Sequence, residues 1–380
     1  MLWQWCLARA FPLHRRVGEA AFFPDVTLLK PLKGCDAMTE DCLRSWLAQE
    51  YRGRVQILFG VADEDDPVCW LARRLLKQFP DADAQLVVCG PPRGANFKVS
   101  NLVELERLAC YEVVVISDAD VRVTPDFLAN IVAPLREEQM GLVNCFYRLA
   151  NSPTLAMRWE ALAINADFWG QVLQARSLKP LGFALGAVMA TRRRQLREIG
   201  GLRALADCLA DDFQLGRRIA KRGYRIELSP LVVECWSPPV GWVAAWKHQL
   251  RWARTIRVCQ PAPYFFSILS NPTLWPLLYL AVNPTAPALV LGLGCWFVRM
   301  ATALDLQARL EQGPLAPAPG PRAAGRGQPL GGWGRVRNAW LALLKDLLHA
   351  SIWLLAFTGN TIEWRSRKMR LRRDGSIIAE

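Results

Sequence analysis

Two carboxylates one residue apart, Asp118 and Asp120, close a run of β-branched apolar residues that starts at Val113. Four such residues without polar alternation read as a strand buried on both faces of a parallel sheet. Ligands in open α/β sheets sit beyond the carboxyl ends of such strands. An Asp-x-Asp at that edge can hold a divalent cation through oxygen ligands, and the cation can hold a diphosphate. Position separates this tripeptide from Asp81-Ala82-Asp83, which precedes its strand (Gln85 to Val88), whereas Asp63 and Asp118 follow theirs. A second acidic pair, Asp211-Asp212, opens a helix that runs to Gly223. The helix dipole favours a carboxylate there, but two side by side repel, which raises one pKa and suits a proton acceptor. A third segment, Gly94 to Leu102, is a glycine-opened loop entering a helix. Its amides and Lys98 suit a nucleotide's base or phosphates, and an N-terminal helix cap explains the same residues equally well.

These residues need a scaffold, and the sequence supplies a βαβαβ alternation. Val26 to Gly34 reads as a strand running into a Pro/Gly turn, with a helix from Glu40 to Gln49 behind it. Val55 to Val61 is a second strand, Val68 to Gln78 a second helix, and Gln85 to Val88 a third strand. The alternation predicts a doubly wound, mostly parallel sheet whose strand ends share one crevice. After Asp120 come a helix from Pro125 to Leu135, a strand from Gly141 to Cys145 and a long helical stretch from Thr154 to Ala175. Its aromatics Trp159, Phe168 and Trp169 recur near helical spacing and read as core. Gly182 to Ala190 is small enough for close backbone approach.

The remainder points to a bilayer. Of 380 residues 52% are apolar and 16 are Trp, above the usual soluble composition. The net charge of +13 gathers around the apolar C-terminal third and the tail rather than in one stripe, which argues against nucleic acid and for anionic headgroups. Val258 to Val298 carries no charge but is broken up by Pro272, Pro276, Pro284 and Pro287. One spanning helix is expected from about Ala288 to Met300, preceded by re-entrant or interfacial segments. Gly241 to Arg257 places Lys247, Arg251, Arg254 and Arg257 on one line, as in a helix lying in a membrane interface. Eleven cysteines without a Cys-x-x-Cys pair suit reduced cytosolic thiols.

The chain carries, in order, Leu29-Lys30-Pro31-Leu32-Lys33-Gly34, Asp65-Asp66-Pro67, Asn96-x-Lys98-x-x-Asn101-Leu102, Ser117-Asp118 with Arg122-Val123, Asp211-Asp212-Phe213 and Leu250-Arg251-Trp252. This ordered set resembles the ceramide glucosyltransferase family of membrane-bound GT-A glycosyltransferases and its bacterial hopanoid-glycosyltransferase relatives. The resemblance implies an α/β GT-A catalytic domain with C-terminal membrane-associated helices. It implies Asp66 on the nucleotide side with Asp63 as its neighbour, Lys98, Asn101 and Asp118 at the donor, and Asp118 with Asp120 on Mg²⁺ or Mn²⁺. Asp212 is implied as general base beside Asp211, with Arg251 and Trp252 as the Arg-Trp motif. A Gln or Arg expected ahead of that motif is here His248, which supplies no permanent charge.

The implied reaction is inverting transfer of one glucose or N-acetylglucosamine from a UDP-sugar to a ceramide or hopanoid hydroxyl, on the cytoplasmic side of a membrane (the inner membrane if bacterial). A processive polysaccharide synthase and a non-catalytic anionic-membrane-binding protein are the alternatives. The expected organisation is an interfacial N-terminal segment (1–24), the GT-A domain (25–236), an interfacial helix (237–257), membrane segments (258–310), a Pro/Gly-rich linker (311–337), a second apolar helix (338–360) and a basic tail (361–380).

Overall fold

The computed structural model describes residues 1–17, 22–313, 336, 338–364, 367–372 and 374–379. Helix α1 (Leu2–Ala10) precedes β1 (Val26–Pro31), α2 (Thr39–Leu47), β2 (Val55–Val61), α3 (Val68–Gln78), β3 (Asp83–Val88) and α4 (Phe97–Leu108). Then come β4 (Val113–Ser117), the short β5 (Val121–Arg122), α5 (Phe127–Val132), β6 (Met140–Leu149), α6 (Leu155–Leu162) and α7 (Trp169–Leu178). A π-helical turn, Ala163–Phe168, joins α6 to α7. The sheet is completed by β7 (Val188–Arg192) and, after α8 (Arg193–Glu198) and α9 (Asp211–Lys221), by β8 (Arg225–Cys235). The C-terminal part holds α10 (Trp242–Cys259), α11 (Pro261–Phe266), α12 (Leu274–Val282), α13 (Ala286–Glu311), α14 (Leu341–Ala356) and the strands β9 (Thr361–Trp364), β10 (Arg367–Leu371) and β11 (Ile377–Ala379). Most of the linker expected between α13 and α14 lies outside the described residues.

The main sheet has the order β3-β2-β1-β4-β7-β6-β8-β5. β4 sits inside it, as its unbroken apolar run requires. Val114 and Ile116 enter the core on one face, and Val113 and Val115 enter the core on the other. β1, β2, β3 and β4 are mutually parallel, so Pro31, Val61 and Ser117 finish at one edge. The sheet is mixed rather than purely parallel, because β7 runs antiparallel to both β4 and β6. That reversal matters for the site: Val188 pairs with Ser117, so the Gly182–Ala187 segment arrives at the same edge, and the Asp118 amide donates to the Ala187 carbonyl at 3.1 Å.

Helix α13 is long and apolar enough to cross a membrane, and Pro261–Ser270 with Leu274–Val282 forms a pair bent by 54°. Only the first half of α13 faces outward. Leu289, Val290, Leu291, Leu293 and Phe297 are exposed, whereas Ala303, Leu306 and Leu310 join the core beneath the main sheet. The exposed part, from Ala286 to Val298, measures about 20 Å at ~1.5 Å per residue, short of a ~30 Å hydrocarbon core. Arg299 marks the change. Its guanidinium grips Asp167 of the π-turn at 2.8 and 2.9 Å and Asp346 of α14 at 2.8 and 2.9 Å, and Lys345 pairs with both carboxylates. The N-terminal segment, expected at an interface, instead docks on the protein: Ala8 is buried, and the Trp5 indole donates to Asp305 of α13 at 2.8 Å.

The basic line of α10 also differs from expectation. Lys247 pairs with Glu363 at 2.8 Å, Arg254 donates to the Thr361 carbonyl, and Arg257 donates to Asn360. Three of the four cations therefore clamp the start of the C-terminal strands rather than facing headgroups. The opposite side of α10, through Ala245, packs on Trp159.

Candidate active site

The loop after β4 is held from below by a buried lysine. Lys30, on β1, has no solvent exposure, and its ammonium donates to the Asp118 carbonyl at 2.5 Å, the Ser117 hydroxyl at 3.2 Å and the Val121 carbonyl at 3.5 Å. Burial pulls its pKa down to about 8. The Cys42 thiol and the Trp236 amide both donate to the Asp120 carbonyl, at 3.3 and 3.0 Å. With its carbonyls tied inward, the turn carries the Asp118 and Asp120 side chains outward at the sheet edge. Burial, then the neighbouring Asp118, pushes the Asp120 carboxyl up to about 6.

Helix α4 brings the cation. Asn96 caps it by accepting from the Val99 amide at 3.2 Å, so the capping explanation of this segment holds. Two residues later, the Lys98 ammonium is engaged by carboxylates of the protein. Lys98 reaches Asp118 Oδ1 at 2.7 Å and Asp211 Oδ2 at 3.1 Å. Burial works against the Lys98 ammonium, but Asp118 and Asp211 more than offset it and raise its pKa. Asn96 also donates to the Cys208 carbonyl at 2.8 Å and to Asp211 Oδ1 at 3.4 Å.

The acidic pair at the start of α9 is thereby divided. Asp211 is buried and bonded to Lys98 and Asn96. Asp212 has no salt bridge among the described residues; its Oδ1 accepts from the Phe213 amide at 2.7 Å. Burial, then Asp211, pushes its carboxyl up to about 7. Close approach of the Gly182–Ala187 segment is real and specific. A Cβ on Gly186 would lie 2.7 Å from Asp212 Oδ2, and one on Gly216 would lie 2.4 Å from the Ala184 nitrogen.

The remaining sequence candidates take varied positions. Asp66 accepts from the Gly34 amide at 2.9 Å and the Val68 amide at 3.0 Å, tying the loops after β1 and β2 together. Asp63 is exposed on the rim and accepts from the Asp65 amide at 3.0 Å. Asn101, expected at the donor, is instead buried against β2 and donates to the Gly60 carbonyl at 3.4 Å, a brace for α4. Trp252 packs on Phe168 at 6.0 Å between centroids, and Phe168 on Tyr147 at 5.7 Å. Phe168, read as core, thus forms an aromatic bridge from α10 to β6. Arg251 is half-buried on α10, and its carbonyl accepts from Thr255. His248 is bound to Glu160 at 2.5 Å, with Gln249 donating to the same oxygen at 2.9 Å. Its ring therefore belongs to the α6–α10 interface.

Glyco_transf_21, described as glycosyl transferase family 21, matches residues 1–377. The chain belongs to glycosyl transferase family 21. This glycosyltransferase is 22% identical over 377 residues to ceramide glucosyltransferase 3 of Caenorhabditis elegans, a match spanning 97% of the chain and 77% of the relative. It is 32% identical over 183 residues to a ceramide glucosyltransferase of Candida albicans, covering 43% of the chain and 33% of the relative. Its fold matches the mannosyltransferase PcManGT of Pyrobaculum calidifontis, solved in complex with GDP-Man and Mn²⁺, with a TM-score of 0.56 and 23% identity over 81% of this chain and 91% of the other.

Sequence reasoning gave no role to Lys30 or Gly186. A lysine inside an otherwise buried strand was itself a signal, since an unpaired buried ammonium is costly. The contact of Gly186 with Asp212 had no comparable signal.

A metal fits this family 21 site in one particular way. Among the described residues, no group of three or more His, Cys, Asp or Glu could hold an ion alone. Asp118 and Asp120 offer hard oxygen donors at the crevice, and a divalent ion bound through one or two carboxylates takes its other ligands from substrate phosphates and water.

Proposed function

We propose that the protein transfers one sugar, glucose or N-acetylglucosamine, from a UDP-sugar to the hydroxyl of a membrane lipid of ceramide or hopanoid type, with inversion. The observation that carries this reading is the division of the acidic pair: Asp211 is bonded to Lys98, while Asp212 has no salt bridge among the described residues and its carboxyl is pushed up to about 7. A base needs a pKa near the working pH. Asp212 accepts the acceptor hydroxyl's proton as that oxygen bonds to the anomeric carbon and the bond to the diphosphate oxygen breaks. A single displacement turns an α-linked donor into a β-glycoside.

Asp118 and Asp120 are the residues that would hold Mg²⁺ or Mn²⁺, which supplies charge neutralisation for the departing diphosphate. PcManGT, whose fold this chain shares, was solved with both Mn²⁺ and a nucleotide sugar. Lys98 pairs with Asp118 and Asp211 and orients them, Lys30 fixes the turn from beneath, and Asp63 and Asp66 border the nucleotide. Arg251 and Trp252 close the crevice on the membrane side, where Arg251 offsets diphosphate charge.

The apolar helices support lipid as acceptor. The exposed surfaces of α11, α12 and the first half of α13 would enter a bilayer and present its lipids to the crevice. The ceramide glucosyltransferase relatives favour a ceramide-like acceptor. The test is incubation of purified protein with labelled UDP-glucose or UDP-N-acetylglucosamine and ceramide or a hopanoid polyol, followed by mass spectrometry. A monoglycosylated lipid is expected. A product carrying many sugars, or no glycolipid at all, overturns the proposal.

A further inference from the structure

The basic tail folds into a small antiparallel sheet whose two faces differ. On one face of β10, Met369 and Leu371 are buried with Ile362, Ile377 and Leu209. On the other, Lys368 and Arg370 are exposed, and Arg372 continues the row. Such alternation is the period-2 pattern of a sheet with one packed and one open face. Glu363 lies opposite Lys368 in register but is engaged by Lys247, and Asp374, close enough to feel the Arg372 charge, accepts from the Ser376 amide and hydroxyl.

The packed side reaches the proposed base. The Ile377 amide donates to the Asp207 carbonyl at 2.8 Å, and the Leu209 amide donates to the Gly375 carbonyl at 3.5 Å. Gln214, within α9, donates to the Asp374 carbonyl at 3.3 Å. Residues 207–209 lead directly into Asp211-Asp212, so the hairpin braces the segment from both sides. Gly375 has a φ of 86°. A Cβ there would lie 2.8 Å from Gln214 Nε2 and 3.8 Å from Cys259 Sγ at the end of α10. From Cys259 the chain passes into α11, whose Phe265 and Phe266 are exposed. On the cationic face itself, Ile378 lies opposite Arg370 in register and is exposed.

We infer that the C-terminal sheet is a sensor of anionic bilayer surface: Lys368, Arg370 and Arg372 take anionic lipid headgroups, and the hairpin behind them steadies the loop that carries Asp212. Cations beside exposed apolar side chains match a charged interface over hydrocarbon. Three such cations amount to on the order of 100-fold in affinity for an anionic surface. The inference deepens the proposed function and rests on Asp212 as the base.

The experiment uses the full chain in nanodiscs of phosphatidylcholine, with or without about one third phosphatidylglycerol. Amide hydrogen exchange is followed across 207–212 and 374–379, and sugar transfer is measured in parallel. Anionic discs are expected to slow exchange at Leu209 and Ile377 several-fold and to raise turnover by a similar factor. High salt should erase both effects. The triple variant Lys368→Gln, Arg370→Gln, Arg372→Gln should match wild type in neutral discs and lose the response. The charge-conserving variant Lys368→Arg, Arg370→Lys, Arg372→Lys should keep it, which separates charge from folding. Equal exchange in both lipids, or a triple variant that still responds, overturns the inference. Exchange that responds in a protein making no glycolipid would overturn the reaction instead and leave the sensor standing.

Discussion

Replacing Asp212 by Asn should abolish sugar transfer and, at the same time, stabilise the folded protein above neutral pH. The carboxyl titrates near 3.8 in the unfolded chain and near 7 in the folded one. Below pH ~4 both states hold the proton and the group is neutral to stability. Between there and about 7 the folded chain keeps a proton that the unfolded chain has released, so stability falls as pH rises, and above about 7 the loss is complete. Three decades of proton affinity correspond to about 4 kcal/mol as a ceiling. Water in the crevice reduces this to on the order of 1–2 kcal/mol. Asn is nearly isosteric and carries no charge, so the variant escapes the loss. Thermal unfolding of donor-free protein in detergent should give overlapping curves near pH 4 and a variant melting a few degrees higher at pH 8. In the same buffers, wild-type kcat/KM should rise with pH along a limb centred near 7. A variant that retains transfer would refute the base assignment. A variant whose melting advantage does not grow with pH would refute the claim that Asp212 is held in a site hostile to its charge.

Other perturbations address other parts of the site. Lys30→Met should lower kcat at least ~10-fold and cost about 1–3 kcal/mol, because the Asp118 and Val121 carbonyls each lose a charged donor and keep only the Ser117 hydroxyl and the Trp46 indole. Lys30→Arg should not restore it, since the position is fully enclosed; kinetics and melting of both variants check this. Gly186→Ala forces a methyl to within 2.7 Å of Asp212 Oδ2 and should depress kcat with little change in donor KM. Arg299→Met strips Asp167 and Asp346 of the guanidinium that bonds both, leaving Lys345 as their shared cation among the described residues, and should lower stability by ~3–5 kcal/mol in denaturation. Chelation with EDTA should stop transfer, and added Mn²⁺ or Mg²⁺ should restore it, measured as glycolipid formed.

Much of the scaffold was legible because local pattern and tertiary role agree. Val113–Ile116 had no polar face and proved to be buried on two, and Val68–Gln78 forms a helix with those bounds. β8 escaped notice because Pro230 interrupts it and its register with β6 shifts between Cys145 and Phe146. The reversed direction of β7 depends on the path of the Gly182–Ala187 segment, which no periodicity encodes. The basic line on α10 had a clear helical period, but its partners lie more than a hundred residues away in sequence, at Glu363 and Thr361. Local amphipathicity therefore suggested lipid where the structure has protein. At the site, the acidic motifs indicated where chemistry would gather. The division of labour between Asp211 and Asp212 came only from which of them Lys98 reaches.

The π-turn between α6 and α7 carries two neighbouring residues with opposite obligations. Asp167 enters the ion cluster with Arg299, Lys345 and Asp346, while Phe168 enters the aromatic bridge to Trp252 and Tyr147. Regular α-helical winding carries one residue fewer in such a turn. Deleting a single residue there would rotate α7 relative to α6 and leave one obligation unmet. The apolar helices are consequently not an interchangeable anchor. A chimera that grafts another anchor onto this sheet would have to bring its own partner for Asp167, or replace that carboxylate together with Arg299, Lys345 and Asp346 as one inherited unit.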